Sequence, residues 1–226
     1  MSAYFDRHAF DLEVARAELD AFKRLLDANA ALTERRHVLA HFARWPQLCA
    51  LFGSYHPKIK AADLIKRELR IGAHFIADLG VRRSGTADVC LVEFEGAAEH
   101  DIFAARLNGR RVPPWATAME KGFSQIVDWA WALDIYRDTP DFRDAFGSKR
   151  PNVMAVLVIG RSAALSDATR RDRWEWRSLW IRPPGIQGVQ LQTYDDLHEY
   201  FDIQLKLAAG MTTPITADVR RPHETP

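Results

Sequence analysis

The sequence has few cysteines, no long hydrophobic run and almost no net charge, and each scarcity excludes a class of protein. The two cysteines, Cys49 and Cys90, are too few for a disulfide framework and lack the spacing of a metal site. No apolar run approaches the roughly 20 residues that a membrane-spanning helix needs. The first 20 residues are acidic and amphipathic without an apolar segment, so we expect no secretory signal. We therefore expect a cytoplasmic protein that does not contact a membrane.

The charge balance neither supports nor excludes nucleic acid as a partner. The chain has 31 Lys and Arg residues against 30 Asp and Glu residues, a net charge of +1. Local clusters matter more than this sum. Basic residues cluster in ERR (34–36), KIK (58–60), VRRSG (81–85), NGRR (108–111) and ATRRDRWEWR (168–177). Several such clusters around one carboxylate site would form a rim that binds phosphate.

The length allows one sizeable domain and a short extension. A hydrophobic content of 47% with 27% charged residues is ordinary for a soluble globular protein. The 226 residues suffice for one domain with its own core. We predict an N-terminal helical extension over 1–32, a domain over 33–209 and a flexible tail over 210–226.

The order of periodic segments predicts an α/β fold with a mixed sheet flanked by helices. Helical spacing predicts helices over 8–30, 34–44, 61–72 and 115–138, and a last helix from about residue 194. Apolar runs predict strands over 74–81, 87–95, 151–162 and 188–193. The first two strands form an antiparallel hairpin. The segment 163–185 fits a helix or a strand.

Two carboxylates stand inside the apolar strand CLVEFEG (90–96). Residues two apart in a strand point to the same face, so Glu93 and Glu95 share a side. Like charges on a buried face repel unless a positive group lies between them. Asp78, in the preceding strand, converges on the same end of the sheet if the two strands pair. Three carboxylates in this arrangement suit Mg²⁺ or Mn²⁺, which prefer oxygen ligands.

This arrangement resembles the PD-(D/E)xK nuclease superfamily, in which an acidic residue on one strand precedes an acidic residue, any residue and lysine on the next. Asp78 is followed here by Glu93-Phe94-Glu95, so Glu95 stands where the pattern has lysine. The chain also resembles the Shedu-type anti-phage nuclease domain, the SduA C-terminal domain. The segments that carry this resemblance are 34–48, 75–81, 89–97, 118–133, 156–165 and 189–197.

The resemblance implies a restriction-endonuclease-like core and a metal-dependent endonuclease of anti-phage defence. Such an enzyme uses Mg²⁺ or Mn²⁺ to hydrolyse phosphodiester bonds of phage or plasmid DNA, and it works as a homo-oligomer, a dimer or a tetramer. The resemblance gives Asp78 and Glu93 as the metal ligands. It gives Glu95 the third motif position, where Glu95 either accepts a proton from the attacking water or binds a second metal ion.

The resemblance extends to three residues outside the hairpin. Gln125, on the long helix, matches a glutamine that packs toward the site. Lys121 lies four residues earlier, on the same helical face, and is our candidate for a relocated lysine. Glu34 matches an acidic position near the N-terminus of the family domain.

Each candidate has a structural alternative. Glu93 and Glu95 could form a solvated acidic face, which their apolar neighbours disfavour. Asp78 could be a turn residue, with Asp88 as the fallback ligand, and Gln125 could be a buried residue bonded to the backbone. Arg161 could contact phosphate or pair with a core acid. The tryptophans could stack on bases but more often belong to a core, and the His37 and His41 pair lacks a third ligand for zinc.

Two other functions remain open. The first is a catalytically degenerate module of the same fold that binds nucleic acid or serves assembly, which Glu95 in the lysine position favours. The second is an unrelated hydrolase that uses Glu93 and Glu95 as an acid–base pair. Both residues lie on one strand, so they cannot easily flank a scissile bond from two sides.

Overall fold

The computed structural model describes residues 4–105 and 112–212, with the side chains of all but the last two of these. The basic cluster at 108–111 lies outside the described residues. The same holds for residues 213–226 of the predicted tail and for the first three residues of the predicted extension. None of the helices in the described ranges is long and apolar enough to cross a membrane.

A six-stranded mixed sheet runs through the protein in the order β1-β2-β3-β4-β5-β6. Its strands are β1 (Asp6–Arg7), β2 (Leu64–Ile71), β3 (Phe75–Arg82), β4 (Asp88–Phe94), β5 (Asn152–Val158) and β6 (Ile186–Gln192). Strands β1 to β4 pair antiparallel, whereas β4, β5 and β6 pair parallel. This confirms the predicted α/β class with a mixed sheet and helices on its faces, which is compatible with a nuclease-like core. The carboxyl ends of β4, β5 and β6 therefore meet at one edge.

Seven α-helices in the described ranges cover the sheet. They are α1 (Leu12–Ala28), α2 (Ala40–Phe42), α3 (Pro46–Leu51), α4 (Thr117–Ile135), α5 (Pro140–Phe146), α6 (Ala168–Trp180) and α7 (Tyr194–Thr212). A π-helical turn (Glu34–Leu39) precedes α2. The open segment 163–185 thus contains a helix, α6, whose N-terminus is capped by the Asp167 side chain. Helices α4 and α5 connect β4 to β5, and α6 connects β5 to β6, as parallel pairing requires.

Each face of the sheet has its own apolar core. The α4 side buries Leu91, Ile126, Trp129 and Leu157, among others. The opposite side buries Val92, Phe94 and Phe201, together with Leu19, Phe22 and other apolar side chains of α1. Helix α1, which lies in the predicted extension, therefore packs into the second core and lies against α7.

The prediction of a helix over 61–72 is wrong, because residues Leu64–Ile71 form strand β2. Ile65 and Leu69 are buried four residues apart, which imitates a helical face. The strand breaks its alternation where Arg67 and Glu68 are exposed in succession. Ile65 packs in the core on the α1 side, whereas Leu69 and Ile71 pack on the α4 side. A strand that changes face in its middle loses the period of two that identifies it in a sequence.

Candidate active site

The carboxyl end of β4 places Glu93 and Glu95 on the face that α4 covers. Both residues are only 3% exposed. Glu93 is paired with Leu157 of β5, and the Glu95 N–H donates to the Val158 carbonyl, so the chain continues along β5 past the end of the strand. The two side chains share a face because they lie two residues apart. The predicted acidic pair is therefore buried rather than solvated.

Asp78 lies beside Glu93 on the neighbouring strand. The last paired residues of β3 and β4 at this end are Leu79 and Val92, so the next step of the register brings Asp78 opposite Glu93. Asp78 Oδ2 accepts a hydrogen bond of 2.8 Å from the Phe94 N–H. The β3–β4 hairpin thus brings the three predicted carboxylates together.

The positive group of the site is a lysine on α4. Lys121 Nζ lies 3.0 Å from Glu95 Oε1 and 3.3 Å from Glu34 Oε2. Glu34 stands at the start of the π-helical turn, where the Thr33 carbonyl accepts from the N–H groups of both His37 and Val38. Such turns are frequent at functional sites. Lys121 and Glu34 therefore approach the β4 carboxylates from two different elements.

Gly122 explains how closely α4 approaches these carboxylates. A Cβ at this position would lie 2.7 Å from Leu157 Cδ1 and 3.0 Å from Glu95 Cγ. The sequence shows Gly122 only as a weak point of a helix. In the fold it leaves room for Glu95 beneath α4.

The site carries more negative than positive charge, and its pKa values reflect this. Burial and the charges of Asp78 and Glu95 raise the pKa of Glu93 to about 9, despite the opposing effect of Lys121. Burial raises the pKa of Asp78 to about 6, against the hydrogen bond from the Phe94 N–H. Burial also raises the pKa of Glu95, although Lys121 acts to lower it.

The pKa of Lys121 is shifted by the same charges. Partial burial lowers it, but the hydrogen bond and charge of Glu95, followed by those of Glu34, raise it above its usual range. The ammonium group therefore stays charged at neutral pH. One lysine faces four carboxylates in this cluster, those of Glu34, Asp78, Glu93 and Glu95.

Three buried oxygen atoms of the site have no hydrogen-bond partner within the described residues: Glu93 Oε2, Gln125 Oε1 and Glu95 Oε1, of which the last forms an ion pair with Lys121. Gln125 lies one helical turn after Lys121 on α4. Buried polar atoms of this kind call for an explanation such as a bound ion or water. A ligand bound at this site would supply the missing partners of Glu93 Oε2 and Gln125 Oε1.

The donor set fits a hard divalent cation. In the described part of the chain no group of three or more His, Cys, Asp or Glu side chains is arranged to hold a metal ion by itself. Asp78 Oδ2 accepts from the Phe94 N–H, and Glu95 forms an ion pair with Lys121. Mg²⁺ needs only one or two carboxylates, with water and substrate phosphate as its other ligands. Asp78 and Glu93 could supply that number.

Several other candidates lie elsewhere. Asp88 is at the opposite end of β4, where its Oδ1 accepts a hydrogen bond of 2.8 Å from Asn152 Nδ2. His41 Nδ1 contacts the His37 carbonyl oxygen, so this pair is occupied locally. Trp129 and Trp174 are buried in the core, whereas Trp131, Trp176 and Trp180 are exposed. The fallback acid and the histidine pair are therefore outside the site.

The basic cluster of α6 is largely occupied by contacts within the protein. Arg177 pairs with Glu120 at 2.9 Å and lies over the rings of Trp115 and Phe123. Arg173 lies over Trp115 as well. These arginines hold the start of α4 in place. They are less available for a phosphate-binding rim than the sequence indicated.

One further contact to the site was missed in the sequence. The hydroxyl group of Tyr194, at the start of α7, donates a hydrogen bond of 2.5 Å to the Glu95 carbonyl. Tyr194 is fully buried. The only signal in the sequence was a tyrosine directly after the last strand, which by itself predicts nothing.

The family model described as Shedu protein SduA, C-terminal, matches residues 17–197. This range begins inside α1, ends in α7 and includes every residue of the carboxylate site. No curated protein matches the chain.

Proposed function

Because the chain belongs to the family of Shedu SduA C-terminal domains, we propose that it is a metal-dependent DNA endonuclease. Membership of this family points to anti-phage defence. The proposal adds a reaction, a metal and a substrate: hydrolysis of phosphodiester bonds in phage or plasmid DNA with Mg²⁺ or Mn²⁺, in the cytoplasm.

The observation that carries the proposal is the state of Glu93. This residue is 3% exposed, its Oε2 has no hydrogen-bond partner in the described ranges, and Asp78 and Glu95 stand on either side. A carboxylate in this position is costly without a cation. A site built only for stability would not keep it.

The residues have separate roles in the proposed reaction. Asp78 and Glu93 hold the divalent ion, which, when bound, neutralises charge on the scissile phosphate and lowers the pKa of the attacking water. Glu95 accepts the proton of that water. Lys121 acts to lower the pKa of Glu95 and so favours its ionised form, and Gln125 orients the attacking water, whose O–H donates to the free side-chain carbonyl of Gln125.

Lys121 also bears on the degenerate alternative. That alternative was favoured because Glu95 stands in the lysine position of the motif. The ammonium group of Lys121 lies 3.0 Å from Glu95, so a cation from α4 takes the place of the missing lysine. This supports an active site over a degenerate one. The acid–base alternative is disfavoured because Glu93 and Glu95 lie side by side on one buried chain.

A cleavage assay tests the proposal. Supercoiled and linear DNA are incubated with wild type, Glu93→Gln or the exposed control Glu199→Gln, in Mg²⁺, Mn²⁺ or EDTA. We expect nicking or linearisation by wild type and control, and none by Glu93→Gln or in EDTA. Cleavage that persists in EDTA would indicate an acid–base hydrolase. DNA binding without cleavage under any condition would favour the degenerate module.

We further propose that the chain is a homo-oligomer, a dimer or a tetramer, that associates through the outer face of α4. Val127, Trp131 and Ile135 lie four residues apart on this helix and are all exposed. Such a stripe is typical of an interaction surface. Light scattering after size exclusion should give an oligomer for wild type and a smaller species for Trp131→Ser. A monomeric wild type would contradict this.

A further inference from the structure

Glu68 has an unusual backbone conformation. Its φ is +50°, and it is the one non-glycine residue with a positive φ in the described ranges. This left-handed conformation is unfavourable for residues with a Cβ, and glycine or asparagine adopts it more readily. A glutamate in the middle of a strand is an unexpected residue to find there.

The register places Glu68 beside the carboxylate site. Arg67 pairs with Leu79 and Leu69 pairs with Ala77, so Glu68 lies opposite Asp78. Asp78 in turn lies beside Glu93 on the next strand. The three acidic residues therefore form a row across β2, β3 and β4.

Strands β2 and β3 both switch the face on which they bury their apolar side chains at this row. Leu79 belongs to the core on the α1 side and Ala77 to the core on the α4 side, although the two residues are two apart in one strand. β2 does the same on either side of Glu68, as described above. Glu68, the residue with the left-handed backbone, thus lies opposite Asp78 at the position where both strands switch faces.

Glu68 and Asp78 also line one cavity. This cavity of about 270 Å³ has walls that include Leu39, Phe42 and Phe94, and its charged lining residues are Glu68, Asp78 and Arg67. The Glu68 side chain is exposed and forms no hydrogen bond or ion pair with another described residue. Its charge acts to raise the pKa of Asp78, which places the two carboxylates within electrostatic range.

We propose that Glu68 is a positioning residue of the site, whose carboxylate would strengthen the binding of the divalent cation that Asp78 and Glu93 would hold. This rests on the proposed function. The buried Glu93 Oε2, which has no partner in the described ranges, is the independent sign that the row takes a ligand. Backbone strain such as that at Glu68 persists at functional sites, where it is part of the mechanism.

The test separates the backbone from the charge. Glu68→Gly relieves the strain and removes the carboxylate, whereas Glu68→Gln keeps the strain and removes only the charge. Glu199→Gln is the control for loss of an acidic side chain elsewhere. The readouts are thermal unfolding without metal and the Kd of Mn²⁺ from calorimetry without DNA.

We expect Glu68→Gly to unfold about 2–4 °C above wild type and to bind Mn²⁺ about 10–100-fold more weakly. Glu68→Gln should show the same loss of affinity without the gain in unfolding temperature. Wild-type affinity in both variants would overturn the inference. So would a lower unfolding temperature for Glu68→Gly, since the residue would then be structural.

Failure of the inference and failure of the proposed function look different. If wild type binds Mn²⁺ and cleaves DNA while both Glu68 variants do so equally well, only the role of Glu68 is overturned. If wild type neither binds Mn²⁺ nor cleaves DNA, the proposed function fails and the role of Glu68 fails with it.

Discussion

Two acidic sites at the same edge of the sheet differ in how their charge is balanced. After β5, Arg161 Nη2 forms an ion pair of 2.9 Å with Asp195. The Nη1 atom of Arg161 donates to the carbonyls of Leu26 and Asn29. Asp195 also accepts from the Ser162 N–H. After β4, one lysine faces Glu34, Asp78, Glu93 and Glu95. The acid after β5, Asp195, is therefore paired with a guanidinium, whereas the four carboxylates after β4 share a single positive charge.

The pKa values follow this difference. Burial acts to raise the pKa of Asp195, but Arg161 and Ser162 bring it below its usual range. Burial raises the pKa of Glu93 to about 9, and its neighbours add to the rise. A structural ion pair thus favours the ionised acid, whereas burial in the carboxylate site favours the neutral form of Glu93.

The largest effect is expected from Glu93→Gln, which removes the unpaired carboxylate and keeps its shape. Metal-dependent cleavage should fall at least about 10²-fold, since an interaction with the reacting charge is lost. Stability against denaturant at pH 7 should rise, because Glu93, with a folded-state pKa of about 9, must take up a proton on folding and glutamine need not. A clear loss of stability at pH 7 would make Glu93 a structural residue.

Arg161→Ala should give the opposite result at the other site. It leaves Asp195 without its guanidinium and α1 without a donor for its last carbonyls. We expect a loss of about 2–3 kcal/mol in the free energy of unfolding, measured with urea. Cleavage per folded molecule should be unchanged. A loss of cleavage without a loss of stability would place Arg161 at the phosphate instead.

Lys121→Met tests whether the single lysine belongs to the chemistry. Without the ammonium group, the pKa of Glu95 rises further and a smaller fraction of Glu95 is ionised at neutral pH. Cleavage should fall about 10–100-fold at pH 7 and recover in part as the pH is raised. Lys121→Arg, which keeps the charge, is the matched control. Equal loss at every pH would contradict the role given to Lys121.

Gly122→Ala should have the smallest effect. The helix gains about 1 kcal/mol from alanine, but the added Cβ crowds Leu157 and Glu95 at a cost of about 1–3 kcal/mol. We expect a net loss of about 1 kcal/mol in urea unfolding and a modest fall in cleavage. Gly210→Ala, in α7, meets nothing within 4 Å and serves as the control. Equal effects of the two variants would show that the close approach is unimportant.

The sequence predicted what depends on local pattern and missed what depends on distant partners. The apolar runs of β3 and β4 on either side of a turn predict a hairpin, so the convergence of Asp78, Glu93 and Glu95 follows from the sequence. The place of Lys121 in the site is predicted by its helical spacing from Gln125 together with the family resemblance. Strand β2 was mistaken for a helix because its change of face at Glu68 removed the period of two.

Other features could not be read from the chain because they exist only in the assembled fold. Arg161 was open between phosphate and a core acid, since its partner Asp195 lies 34 residues away along the chain. Gly122 looked like a defect because the side chain that needs its space comes from another element. Tyr194 carried no pattern at all, although it bonds to the backbone of Glu95.

The central claim is that the carboxylate site takes a divalent cation, and proton release on binding tests it most directly. Glu93, with a pKa of about 9, must lose its proton to bind metal at pH 7.5, whereas Asp78, at about 6, is mostly ionised already. Titration calorimetry with Mn²⁺, in two buffers of different ionisation enthalpy, should show release of about one proton by wild type and weaker binding by Glu93→Gln. Binding with no proton release and equal affinity in both proteins would contradict the account.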